Sequence, residues 1–142
     1  MRALFTMSLL LVAGLLAGMR VDGSPLEMLG LAALGLLMTV AGALFALGVA
    51  LRIRSLQAAP LMQTPIFVFL FLAPVWVPLD KLEGWIHAVA SVNPVSAVVK
   101  AGRSLIAGAP EGVGVAFALL AAIGFGFSLW AWRGLRSAER AA

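Results

Sequence analysis

The chain reads as an all-α polytopic membrane protein, with four membrane-spanning helices and an outer-face helical hairpin ahead of the last one. Composition is the first reason. Of 142 residues, 63% are hydrophobic and only 11% are charged, far from the balance of a soluble globular domain. Charge segregation is the second. Long apolar runs alternate with short charged clusters, as expected of a chain that crosses a bilayer repeatedly. The third is punctuation: Ser24-Pro25 and Asn93-Pro94 are helix-start signals. There is no cysteine, which excludes a disulfide framework and a cysteine-based metal site. The net charge of +4 does not point to nucleic acid, because the Arg residues cluster at span ends, where topology and lipid headgroups account for them.

The first expected span runs from Ala3 to Met19, between Arg2 and Arg20. Its 17 residues are near the lower limit for crossing a bilayer. A basic start and an apolar core also fit a signal peptide, but no A-x-A-like site follows, and Arg20 and Asp22 come quickly. Gly14 and Gly18 match the small-xxx-small pattern of close helix contacts.

The second span has a defined start. Ser24 is placed to cap it, Pro25 falls at the first helical position and Glu27 at the third, a capping box. The apolar run from Met28 to Leu51 follows, with Gly42, Ala46 and Ala50 at every fourth position, and Arg52 and Arg54 close it. The third span, Pro60 to Leu79, holds Pro60, Pro65, Pro74 and Pro78, so a straight helix is not expected over its length. Pro74 is the expected kink or end. The fourth span, Val113 to Trp132, carries Gly114, Ala118, Ala122 and Gly126 at every fourth position, read as a helix contact within the chain, with a dimer contact as the alternative.

Between the third and fourth spans lies a segment that is neither a loop nor a span. Residues 80–108 read as two short amphipathic helices joined at Asn93-Pro94. Asp80 is expected to cap the first, with Glu83 at the capping-box position. Leu82, Trp85, Ile86, Val89 and Ala90 share one of its faces. Asn93 is expected to cap the second, with Pro94 at the position where a missing N–H costs nothing. Val95, Val98, Val99, Gly102, Leu105 and Ile106 form its apolar stripe, opposite Ser96, Lys100, Arg103 and Ser104. Gly108 and Pro110 end it. Such a pair can lie at a membrane surface or dip part-way in and return.

Topology follows from the basic residues. With the N-terminus inside, Arg2, Arg52, Arg54, Arg133, Arg136 and Arg140 are cytoplasmic, while Arg20, Lys81, Lys100 and Arg103 are outside. The expected arrangement is N-in and C-in, with Trp76, Trp85, Trp130 and Trp132 at interface positions. Lys100 and Arg103 are expected to snorkel to headgroups, with contact to an anionic substrate as the alternative. No charged residue sits near the middle of a span, which argues against a proton-coupled antiporter. No phosphate-binding loop is present, the lone Gly112-Val113-Gly114 carries no weight, and His87 lacks partners for a metal or acid–base set.

The order of these parts closely resembles the C-terminal portion of type-2 ATP-binding-cassette (ABC) exporter permeases, the daunorubicin-resistance-like group in particular. The residues that carry the resemblance are Val77-Pro78-Leu79-Asp80, Gly84-Trp85, Asn93-Pro94-Val95 and Arg103. The Gly18-Met19-Arg20 turn and the Arg52–Ala59 connection also fit. Lys100 departs from the pattern, standing where a neutral or acidic residue is expected.

The resemblance implies a transmembrane subunit of an exporter in the cell (plasma or inner) membrane. It implies a second permease chain, like or unlike, and a separate ABC ATPase that hydrolyses the ATP, so this chain is not itself an enzyme and needs no cofactor. The present spans would correspond to the family's third to sixth, so the chain is expected to be a fragment lacking the first two. Arg52, Arg54 and Gln57 are the candidates for touching the ATPase; a plain positive-inside loop is the alternative. Pro78, Asp80, Gly84, Trp85, Asn93, Pro94 and Arg103 are the candidates for shaping the outer hairpin. The substrate class is drug, lipid or polysaccharide. The competing expectations are a small four-span accessory membrane protein without transport, and a secreted or anchored product with residues 1–19 removed.

Overall fold

The computed structural model describes residues 2–53, 55, 59–75, 77 and 79–139. Six α-helices follow one another: α1 (Arg2–Leu16), α2 (Pro25–Ile53), α3 (Ala59–Phe71), α4 (Gly84–Val92), α5 (Pro94–Ile106) and α6 (Val113–Glu139). No strand occurs among the described residues. A single 3₁₀ turn, Leu79–Lys81, precedes α4.

The start of α2 forms as its sequence dictates. The Ser24 N–H donates to the Glu27 carboxylate, and the Glu27 N–H donates to Ser24 Oγ at 3.4 Å, closing the capping box. At 29 residues α2 extends about 43 Å, more than the ~30 Å hydrocarbon core of a bilayer. Within α6, Val113–Arg136 is also long and apolar enough to cross. The expectation of four spans is met in part: α1 has 15 residues and α3 has 13, or about 20 Å each, short of a full crossing as helix alone.

Helices α2 and α6 run parallel and form the spine. Leu34 of α2 packs with Ala116 and Leu120 of α6 in the buried core, together with Ala101 of α5. Further along, the Phe45 and Phe127 rings lie 5.3 Å apart, and Phe45 stacks on Trp130 at 5.9 Å. At the far end Gly48 faces the Trp130 ring so closely that an added Cβ would fall 2.2 Å from it. The small-residue row expected to make this contact does not. Gly114, Ala118 and Ala122 face outward and Gly126 borders an open recess beside the seam, because larger side chains one helical face away fill the seam with α2.

Helix α5 lies antiparallel to α2. Leu105 packs on Gly30, Gly102 on Leu31, and Ala101 on Leu34, while Pro94 and Val95 line one cavity with Met38 and Ala41. The hairpin therefore dips inward: its corner sits at mid-length of α2. The outer end of α5 stops in a full Schellman turn, in which the Ala109 N–H donates to the Ser104 carbonyl at 3.0 Å and the Gly108 N–H to Leu105 at 3.4 Å. Gly108 takes the left-handed φ of 67° that this turn requires. The α1–α2 connection seals the same end, since the Asp22 and Gly23 N–H groups both donate to the Ile106 carbonyl, at 3.0 and 3.1 Å.

Candidate functional site: a broken helix closed by the Asn93 corner

Helix α3 carries Pro65 within it and ends at Phe71, three residues before the buried Pro74. A helix that stops in apolar surroundings leaves carbonyls with no helical donor, each costing several kcal/mol if unpaired in hydrocarbon. Local turns satisfy some of them. Val68 accepts from the Leu72 N–H at 3.0 Å, Leu70 from Ala73 at 3.3 Å, and Ala73 from Val75 at 2.7 Å. Two others, Phe69 and Val75, are satisfied from α5.

Asn93 performs two tasks at once. Its Oδ1 accepts the Val95 N–H at 3.0 Å and so caps α5, with Pro94 at the first helical position. Its Nδ2 donates to the Phe69 carbonyl at 2.7 Å, 24 residues away in sequence. The side chain is 6% exposed, so both bonds are made away from solvent. One full turn past the middle of α5, Arg103 donates from Nη2 to the Val75 carbonyl. Asn93 and Arg103 thus tie both sides of the α3 break to one helix.

Several expected roles change here. Arg103 binds backbone rather than snorkelling, and Lys100 pairs with Glu111 at 3.2 Å, an exposed contact of small energetic weight. The loop before α6 is also fastened by Ser104, whose Oγ accepts the Glu111 N–H at 3.0 Å. Asp80 does not cap α4: it lies in the 3₁₀ turn, and Glu83 precedes the helix without a side-chain cap bond. Gly84 opens α4 at a φ of 63°, and the Trp85, Ile86 and Val89 side chains point outward, leaving Ala90 as the helix's buried residue. Ser96, expected on the polar face, is buried, with no hydrogen-bond partner for its hydroxyl among the described residues. Trp76, Pro78, Arg54, Gln57 and Arg140 lie outside the described residues.

Beneath the corner, α2, α3, α5 and α6 enclose an apolar cavity of about 280 Å³. Gly42 and Phe45, Pro65 and Phe69, Pro94, and Ile123 and Phe127 are among its walls. No acid, base or polar side chain lines it, so it can hold an apolar group but supplies no chemistry. Among the described residues no cluster of His, Asp and Glu could bind a metal.

The family model for the ABC-2 type transporter matches residues 1–107, three-quarters of the chain. The chain belongs to the ABC-2 type transporter family. Comparison with curated proteins and with solved structures finds no match. As an ABC-2 membrane protein it is a permease component of an ABC transporter, and the family implies association with an ABC ATPase subunit. The matched stretch ends at Ala107, so it takes in α3, the Asn93 corner and all of α5.

Of the residues proposed to touch that ATPase in this ABC-2 chain, Arg52 is described, and it is engaged internally. Its guanidinium lies 4.2 Å from the Trp130 ring centroid. Nη1 donates to the Gly48 carbonyl and Nη2 to the Trp130 carbonyl, each at 2.9 Å. It therefore clamps the end of α2 to α6 at Trp130, and its charge complements the C-terminal dipole of α2. Sequence reading gave Asp22 and Gly23 no role; the glycine before the capping box was the available signal.

Replacing Arg103 by alanine is expected to free the Val75 carbonyl and lower stability by about 1 kcal/mol, since the bond is charge-assisted but exposed. Thermal unfolding in detergent measures the loss. Faster amide exchange confined to residues 72–77 would place it at the α3 break.

Proposed function

We propose that this chain is a multi-pass permease subunit of the cell membrane, of the daunorubicin-resistance-like group, that works beside a second permease chain. It moves a drug-, lipid- or polysaccharide-class substrate outward, driven by ATP hydrolysed on a separate ABC ATPase. The chain does no covalent chemistry itself. Four segments cross the bilayer in this reading, with α1 and α3 continued by non-helical chain.

The observation that carries the reading is the Asn93 corner within the family-matched stretch: a helix that ends part-way along its apolar segment and is tied to an inward-dipping hairpin. Irregular backbone at membrane depth is tolerated where protein surrounds it or a pathway needs it. The parallel spine supports an N-in, C-in topology. It gathers Arg52, Arg133 and Arg136 at one end and Asp22, Glu27 and Glu111 toward the other. Because Arg52 is occupied between α2 and α6, coupling to the ATPase falls mainly to Arg54 and Gln57.

Affinity capture of the tagged chain from native membranes tests this. The expected result is a co-purifying protein with a G-x-x-x-x-G-K-[ST] phosphate loop, with recovery reduced by Arg54→Glu combined with Gln57→Ala. Stable accumulation with no ATPase captured would instead favour a four-span accessory protein.

A further inference from the structure

The apolar cavity under the Asn93 corner does not end there. A shallower recess continues it along the α2–α6 seam, sharing Phe45, Ile123 and Phe127 and reaching Trp130. The result is a groove open on one side and apolar along its length. Its α6 wall runs from Leu120 to Trp130, ten residues or about 15 Å, facing Met38 to Phe45 of α2. That is close to half the ~30 Å hydrocarbon thickness, the depth one leaflet's acyl chain occupies.

What stands at the end of the groove decides the occupant. Arg52 lies 4.2 Å from the centroid of Trp130, the residue that ends the groove, and its two carbonyl bonds engage one N–H on each terminal nitrogen, leaving the guanidinium fork further donors. A guanidinium so fixed matches a phosphate diester in charge and geometry. Arg54, Arg133 and Arg136 lie within a few residues of this end in sequence, with Glu139 as the nearest acid, so an anionic headgroup is favoured over a zwitterionic one.

We infer that the α2–α6 groove is a binding site for one anionic glycerophospholipid, one of its two acyl chains in the apolar channel and its phosphate on Arg52. The lipid fills space that the protein's own side chains leave open and joins α3 to the spine where few protein contacts do.

The test is native mass spectrometry of the purified full chain in micelles containing equal amounts of phosphatidylglycerol and phosphatidylcholine. Wild type is expected to retain one lipid, with phosphatidylglycerol preferred. Gly42→Leu and Gly126→Leu place side chains where nothing lies within 4 Å of an added Cβ, so they fill the groove without a backbone clash. Both should abolish retention while leaving the thermal midpoint of the delipidated protein near that of wild type. Arg52→Gln should weaken retention about tenfold, the loss of a charge-assisted contact. Undiminished retention in both filling variants overturns the site. Equal retention of the two lipids, or no effect of Arg52→Gln, overturns the headgroup assignment. None of these readouts involves an ATPase, so they fail or succeed separately from the transport reading.

Discussion

Asn93→Ala should destabilise the chain by about 2–4 kcal/mol, the sum of a lost helix cap and a carbonyl left unpaired in apolar surroundings. Thermal unfolding in detergent is the measurement. Asn93→Asp separates the two contributions. An aspartate caps a helix as well as asparagine does, so the bond from the Val95 N–H survives. Its ionised carboxylate has no donor to offer and sets an oxygen against the Phe69 carbonyl. N93D is therefore expected to be unstable at neutral pH and to recover as pH falls. The buried acid prefers its neutral form, so its folded-state pKa is raised, and the stability it holds when protonated is lost as pH rises through that value. If N93D matched wild type at neutral pH, the bond between α5 and α3 would be contributing nothing. In the assembled transporter, Asn93→Ala with Pro94→Ala should impair export while leaving membrane insertion intact.

The second large effect is expected where two backbones touch. At Gly108 an added Cβ would lie 2.6 Å from the Asp22 carbonyl oxygen, and at Gly23 it would lie 2.2 Å from that of Leu105. Neither neighbour is a flexible side-chain end, so the α1–α2 connection must separate from α5. Gly108→Ala also forces a β-carbon into a left-handed conformation. Strain and overpacking together come to about 2–4 kcal/mol. Gly112→Ala is the control: its φ is also 67°, but nothing lies within 4 Å. It should show the conformational cost alone. Equal midpoints for G108A and G112A would show that the close approach has no energetic weight. Because Asp22 and Gly23 satisfy the Ile106 carbonyl, G23A should also raise amide exchange in the last turn of α5.

Local signals were legible wherever the partners are close in sequence. The Ser24–Glu27 box, the Asn93 cap with Pro94, and the Gly108 stop are each complete within a few residues, and each forms as read. The apolar stripe of α5 likewise faces α2, as its spacing required. Asp80 failed because a 3₁₀ turn takes up Leu79–Lys81, so the helix starts later, at Gly84, beyond the reach of the Asp80 side chain. The Gly114–Gly126 row was misread for a different reason. Small residues permit close approach but do not compel it, and here Gly48 and Trp130 make the tight contact instead.

The sequence by itself determined a membrane protein of helices, the starts of α2 and α5, the stop of α5, and a hairpin pivoting on Asn93-Pro94. It also carried the family, because the hairpin's residues are contiguous. Tertiary structure alone decided that the hairpin dips to mid-length of α2, that Asn93 and Arg103 close the break in α3, and that Arg52 is clamped between α2 and α6. Each of those depends on partners tens of residues away: 24 for Asn93, 28 for Arg103 and 78 for Arg52. Periodicity and capping act over one or two helical turns, whereas an orphaned carbonyl takes whichever donor the packing brings to it.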